Sequence, residues 1–325
     1  MTQLKGNLLP RPTLRSTSAT TLVDILILGA GWTYQFLLPL LEQQRITHAA
    51  TTRNGHDETI PFQFSPDTSD TAPYERLPPA RTVLITFPLK GDGQSRLLTS
   101  LYEQCHKQVD SNCRYIQLGS TGIFTDKGWN DSDSSYDRSN ARAVAEDELL
   151  HLYGRRACVL NLAGLYGGER QPRNWITRVA KTKEEVRGKG ALHLVHGGDV
   201  ARAVLGAHAG FGMVGGKRWI VNDLHVYDWW DLILCWGRYA RGNAGERGKV
   251  NGTGTAGKGI EDGEHAGKEA GEEKEELRFE KWVVELMQEE GVRALPRDKS
   301  GLGRVLDGRG FWNAIGTAPA EGRVS

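Results

Sequence analysis

A chain of 325 residues is long enough for one large or two modest domains with a core of ordinary size. Its 41 Lys and Arg nearly cancel its 40 Asp and Glu, leaving a net charge of +1 that argues against a general electrostatic grip on nucleic acid or an anionic membrane. The four cysteines are scattered, without a CxxC or metal-ligand spacing, and no apolar run approaches the roughly 20 residues of a membrane-spanning helix, so a disulfide scaffold, a metal site and a membrane protein are all excluded as expectations.

Residues 1–20 carry Lys5, Arg11, Arg15, several hydroxyl side chains and no acid, a faint likeness to an organellar transit peptide. Pro10 and Pro12 spoil the amphipathic helix such a peptide forms, so a disordered tail on a cytoplasmic protein is the expectation. Asp24 to Leu28 is then an apolar, partly β-branched run that stops at Gly29-Ala30-Gly31-Trp32-Thr33-Tyr34, and a helix-compatible segment from Phe36 to Arg45 follows at once. Strand, tight turn and helix in this order suit a dinucleotide. Gly29 can take a backbone shape closed to other residues, Gly31 lets the main chain approach a pyrophosphate, and the helix start at Trp32 and Thr33 turns its free N–H groups toward that phosphate. The third glycine of GxGxxG falls at Tyr34, which implies a helix standing further off the sheet, a shifted turn, or a phosphate pocket partly filled by a side chain.

Ile46 to Arg53 reads as a second strand. An acid at its end would take the adenosine ribose hydroxyls, whereas an arginine accommodates a 2′-phosphate; Arg53, with no acid before Asp57, favours NADP, with NAD as the alternative. Arg81 to Phe87 is a buried-type strand closed by Pro88, and because ligands of doubly wound sheets lie beyond the carboxyl ends of the strands, Thr86 and Phe87 are expected at the cofactor. Leu97 to Gln108 has the apolar spacing of a helix. The strand Arg114 to Ser120 runs into Ser120-Thr121-Gly122, where a hydroxyl could donate to a substrate carbonyl, or simply cap the turn; no GxSxG nucleophile elbow is present. A helix over Ser139 to Leu152 and a strand over Arg155 to Leu162 follow, with the loop Ala163 to Gly168 at its end.

The order of these pieces resembles the extended short-chain dehydrogenase/reductase family, in its atypical branch, over residues 23–235. The likeness is carried by Gly29 to Tyr34, Ser120-Thr121-Gly122, Ala143-Val144-Ala145-Glu146, Leu162 to Gly167 and His196 to Ala201. It implies an α/β fold, a Rossmann-like doubly wound parallel sheet with a smaller C-terminal substrate-side subdomain. It also implies NAD(P)-dependent redox or epimerase chemistry on a small molecule: Ser or Thr polarises a carbonyl, Tyr donates a proton, and Lys four residues later lowers the tyrosine pKa. The chain departs from that pattern. Registered on Ala145-Glu146, the tyrosine position is Arg138 and the lysine position Arg142; registered on Tyr136, the lysine position is Asn140. Ser120, Thr121 and Tyr136 therefore stand as catalytic candidates without a Tyr–Lys pair, and Arg142 as a residue for a substrate carboxylate or a cofactor phosphate.

Residues 21–165 read as the dinucleotide-binding domain and 166–240 as the substrate-side subdomain, with Asp199 as a helix N-cap and a late strand at Arg218 to Asp223. His193 and His196 form an HxxH with no third ligand at convincing spacing, so no metal is expected. Residues 241–275 are Gly, Lys and Glu with almost no large apolar side chain and read as a disordered charged insertion. Residues 276–325 read as an amphipathic helix and a tail that docks through Phe311-Trp312. Three readings remain: an NADP-preferring oxidoreductase or epimerase-like protein, a catalytically silent NAD(P)-binding sensor, and, resting on Tyr34, a fold that has lost its cofactor.

Overall fold

Apolar strand runs that alternate with amphipathic helices bury both faces of a sheet when the strands lie parallel and the helices cover them on either side. The computed structural model, in which residues 21–107, 112–236 and 278–324 are described, has this arrangement. The expected tail at 1–20 and the expected insertion at 241–275 lie outside the described residues. The first half contains β1 (Val23–Leu28), α1 (Tyr34–Gln43), β2 (His48–Thr52), β3 (Ile60–Pro61), α2 (Ala72–Glu75), β4 (Ala80–Ile85), α3 (Gln94–His106), β5 (Arg114–Ser120), β6 (Gly128–Asn130) and α4 (Ala141–Tyr153). The second half continues with β7 (Ala157–Leu162), β8 (Gly164–Tyr166), α5 (Ile176–Val179), α6 (Lys183–Arg187), β9 (Ala191–Leu192), β10 (Leu194–His196), α7 (Gly197–Ala209), α8 (Phe211–Val214), β11 (Arg218–Val221) and β12 (Tyr227–Asp228). Helices α9 (229–236) and α10 (278–289), β13 (Arg304–Leu306) and α11 (Arg309–Ala314) complete it.

Seven strands form one parallel sheet in the order β11-β7-β5-β4-β1-β2-β3. The order runs outward from β1 in both directions, which puts the topological switch point between β1 and β4. Along β1 the period of two divides the core: Ile25 and Ile27 pack with α1 and α7 on one face, Leu26 and Leu28 with α3 and α4 on the other. All four are fully buried, which is why the run reads as continuously apolar rather than alternating.

Two sequence expectations change here. The segment 166–240 is not a separate substrate-side unit, because α7 packs on the same core as α1 and β11 pairs with β7 in the main sheet. The chain leaves the sheet after β7, contributes Tyr166, Ile176, Val186 and Leu194 to a smaller cluster, returns at β11, and then completes that cluster with Trp229, Trp230 and Phe279. The cap of α7 is His196, whose ring accepts from the Gly198 N–H (3.2 Å), and not Asp199. Asp199 is fully buried and instead accepts the N–H groups of Ala320 (2.8 Å) and Glu321 (3.2 Å), tying down the C-terminal tail. Phe311 and Trp312 are buried beside β11. Among the described residues no helix is long and apolar enough to cross a membrane.

The connection from β2 to β3, residues 53–59, contains no helix. A doubly wound fold commonly places a crossover helix between parallel strands. Here a hollow of about 910 Å³ lies between α1 and this edge of the sheet, lined in part by Tyr34, Leu38 and His48.

His193 acts as a structural strut. Its Nε2 accepts from the Leu306 N–H (3.1 Å), so the proton sits on Nδ1, which donates to the His225 carbonyl (3.2 Å). Burial first, and the nearby Arg304 charge second, push its pKa down to about 4. The unfolded chain therefore takes a proton at this residue before the folded one does, and stability is lost as pH falls from the ordinary histidine value toward 4, by on the order of 3 kcal/mol from this group. Urea unfolding at pH 7 and pH 4.5 is expected to show this loss. In His193→Gln, which keeps an acceptor and a donor without titrating, the difference between the two pH values is expected to shrink.

Candidate cofactor and substrate cleft

Leu28 hands the chain to Gly29, whose φ of +98° is open to glycine and strained for other residues. A Cβ there would also lie 2.5 Å from Thr86 Oγ1 and 3.3 Å from the Phe87 ring. The turn is fastened on both sides: the Gly29 N–H donates to Thr51 Oγ1 (2.9 Å), and the Thr86 hydroxyl is shared between the carbonyls of Gly29 (2.7 Å) and Leu28 (3.0 Å). Gly31 is different, because a Cβ there meets nothing within 4 Å. The backbone at Gly31 is open to an approaching group. Thr33 stands at the N-cap of α1 without a side-chain bond to the helix and faces the cleft beyond.

That cleft, of about 710 Å³, lies at the carboxyl ends of β4, β5 and β7. Thr33, Thr86, Ser120 and Arg142 line it, together with Arg170 and Arg178. Ser120 ends β5 and caps the 3-10 turn Thr121–Ile123 by accepting from the Gly122 N–H (3.1 Å), so its own proton remains to be donated. Arg142 enters α4 directly after its cap, where Asn140 Oδ1 accepts from the Arg142 N–H (3.0 Å). The structure thus brings Thr33, Thr86, Ser120 and Arg142 together.

Other expected residues are placed differently. Thr121 is buried, and its hydroxyl donates to the Leu162 carbonyl (3.3 Å), joining β5 to β7. Phe87 stacks on Phe64 with centroids 6.1 Å apart and supports the turn from outside the cleft. Trp32 donates from its indole N–H to the Gly167 carbonyl (3.3 Å), with the Arg170 guanidinium over its ring at 4.4 Å, and so forms a rim. Arg53 is exposed two residues beyond Thr51, the residue that holds Gly29.

Tyr136 is not in the cleft. Its hydroxyl donates to Asp147 (2.8 Å), and the Arg218 guanidinium covers its ring at 4.1 Å. Burial and that bond to Asp147 push its pKa up, the opposite of what a proton shuttle near neutral pH requires. The expectation that Tyr136 is a catalytic candidate is corrected accordingly: it does not line the cleft that Ser120 lines. Tyr34 does not plug the turn; its side chain points into the hollow beside β2, 6.4 Å from the His48 ring, and the helix-free β2–β3 connection leaves room for it.

Behind Ser120 lies a buried polar network that the sequence reading missed. Glu146 accepts from Arg218 Nη1 (2.6 Å) and Asn161 Nδ2 (2.9 Å), and all three residues are buried. Burial pushes the Glu146 carboxyl up while its two donors pull it down. Gly119 has no room for a side chain because Glu146 and Asn161 occupy that space, so a glycine is required immediately before Ser120. The available signal was that two acids, Glu146 and Glu148, fall among the inward positions Ala143, Ala145 and Leu149. Arg170 and Arg178 had no signal, since their place depends on how the loop after β8 folds back. Among the described residues lining the cleft there is no His, Lys, Tyr, Cys, Asp or Glu, and no cluster that could hold a metal ion is found among the described residues.

No protein-family model matches the sequence, and no curated protein does. Solved structures do. A functionally unknown conserved protein from Silicibacter pomeroyi superposes with a TM-score of 0.53 at 17% identity, covering 92% of this chain and 95% of its own. A protein from Methylobacillus flagellatus, provisionally described as an NAD-dependent epimerase/dehydratase, gives 0.52 at 13% identity over 90% and 92%. At these identities the likeness establishes the fold alone, a Rossmann-like α/β fold.

The two glycines of the turn are expected to respond differently to alanine. Gly29→Ala meets both an unfavourable φ and Thr86, and is expected to cost about 1–3 kcal/mol or more in urea unfolding. Gly31→Ala has free space and is expected to stay within about 0.5 kcal/mol of the parent.

Proposed function

We propose that this cleft binds a nicotinamide dinucleotide, NADP in preference to NAD, and that the chain is an oxidoreductase or epimerase-like protein of the atypical short-chain dehydrogenase/reductase type acting on a small molecule. The observation that carries the reading is the open backbone at Gly31, at the switch point of the sheet, followed two residues on by Thr33, which lines one cleft with Ser120. The residues fit such a cofactor. Gly31, Trp32 and Thr33 would hold its phosphates at the start of α1, Gly29, Thr86 and Phe87 keep the turn in shape, and Arg53 would take the 2′-phosphate. Bound there, the nicotinamide would supply hydride transfer.

The remaining work falls to the chain. Ser120 has a free hydroxyl proton to donate to a substrate carbonyl, and Arg142 places a permanent positive charge on the same wall, where it would stabilise charge developing on that oxygen. One observation favours the second reading, a catalytically silent dinucleotide-binding sensor: among the described residues no His, Lys, Tyr, Cys, Asp or Glu lines the cleft, so proton transfer has no dedicated residue there.

Calorimetric titration separates these cases. The parent is expected to bind NADPH more tightly than NADH, and Arg53→Ala to weaken NADPH by about 10-fold or more while leaving NADH nearly unchanged. Equal losses for both would remove the 2′-phosphate contact. If a substrate screen gives turnover, Ser120→Ala is expected to lower it by roughly 100-fold with NADPH affinity retained. NADPH binding without turnover on any carbonyl or alcohol tested would favour the sensor.

A further inference from the structure

Three guanidinium groups, from Arg142, Arg170 and Arg178, line the cleft, and among the described residues no carboxylate lines it with them. Elsewhere several arginines are matched by acids, while others, such as Arg155 and Arg304, are held by backbone carbonyls. Arg218 pairs with Glu146 at 2.6 Å, Arg297 with Asp228 at 2.6 Å, Arg309 with Asp307 at 2.6 Å, and Arg187 with Glu289 at 2.7 Å. None of the three cleft arginines makes an ion pair with a described carboxylate. Glu146, one turn along α4, feels the Arg142 charge but is hydrogen-bonded to Arg218 and Asn161, so the Arg142 fork itself has no carboxylate bonded to it among the described residues. Unmatched positive charge on a concave wall concentrates anions, and the guanidinium fork fits a carboxylate or phosphate through two parallel hydrogen bonds.

The three arginines are not equivalent. Arg170 lies over the Trp32 indole, on a loop that the same indole grips through the Gly167 carbonyl, so it flanks the glycine turn. Arg142 begins α4 on the wall shared with Ser120. Arg178 lies in α5, in the segment that follows β8, with Trp175 beside it on the cleft wall. A pyrophosphate seated at the turn would be neutralised by Arg170 and the start of α1, leaving Arg142 and Arg178 for something else.

We infer that the second ligand of this cleft is a small molecule bearing an oxyanion, a carboxylate or a phosphate group, held by Arg142 and Arg178 next to the Ser120 hydroxyl. The inference rests on the dinucleotide reading in one respect, the assignment of Arg170 and the turn to the cofactor. Two anions separate the sources of the shared chemistry. Preference for malonate over inorganic phosphate assigns an organic acid, and the reverse order assigns a phosphate ester.

The test is calorimetry on the full chain at low ionic strength, titrating inorganic phosphate and malonate with and without saturating NADPH. One of the two anions is expected to bind in the presence of NADPH, and Arg142→Gln and Arg178→Gln are each expected to weaken it by about 10-fold or more with NADPH affinity nearly unchanged. Arg170→Gln is expected to do the reverse. Unchanged melting temperatures in the variants exclude loss of fold, and Arg142→Lys, which keeps the charge without the fork, is expected to recover only part of the affinity. The inference is overturned if NADPH displaces both anions, if the Arg142 and Arg178 variants lose NADPH as strongly as anion, or if neither anion binds. Anion binding that depends on Arg142 and Arg178 in a protein that takes no NADPH would leave the oxyanion site standing and sink the dinucleotide reading alone.

Discussion

The site depends on one small piece of backbone, Gly29, held in a left-handed conformation between two threonines. Thr51, at the end of β2, accepts its N–H, and Thr86, just past β4, donates to its carbonyl. Each bond alone contributes on the order of 1 kcal/mol. Together they bind the ends of three adjacent strands into one rigid edge, and α1 starts from it. Because Gly29 is fixed, the turn presents Gly31 with nothing against it and leads into Thr33 on the cleft wall. The division of labour is clear: one glycine builds the turn, the other leaves it open.

Ser120 has a corresponding support on the far side of the switch point. Glu146, Asn161 and Arg218 form a buried ionic network under Gly119, and Arg218 also reaches Asp147. Such buried charge is costly to desolvate and is weak evidence for added stability. Its effect here is geometric: Asn161 touches the Ser120 carbonyl at 3.4 Å, and Glu146 fills the space a side chain at position 119 would need. The same Arg218 covers Tyr136 and, with Asp147, keeps that tyrosine out of the cleft. What remains on the cleft wall is a set of hydroxyls and guanidinium groups among apolar residues such as Leu118, Leu162 and Leu165.

Much of this was legible in the residues because local chemistry determines it. The β1 run, the glycine turn, the buried strands β4, β5 and β7, and the hydroxyl at Ser120 each follow from periodicity and from what glycine alone can do. Tyr34 could not be read locally. Whether a tyrosine fits at the third glycine position depends on the absence of a helix between β2 and β3, which is a property of the neighbouring segment. Tyr136 misled because an exposed-looking tyrosine ahead of α4 says nothing about Arg218, which arrives from β11 far along the chain. Asp199 looked like a cap because caps are short-range; its real partners, the amides of Ala320 and Glu321, belong to the opposite end of the sequence. The boundary drawn at 165 failed for the same reason, since α7 and β11 return to a sheet begun much earlier.

The central claim is that the open turn at Gly31 and the hydroxyl at Ser120 face the same bound nicotinamide dinucleotide. A crystal structure of the full chain soaked with NADPH tests it most directly. The account expects the pyrophosphate at Gly31 and Thr33, with the nicotinamide end reaching toward Ser120. A soaked crystal with no nucleotide in the cleft, or with nucleotide only in the hollow beside Tyr34 and His48, would contradict it.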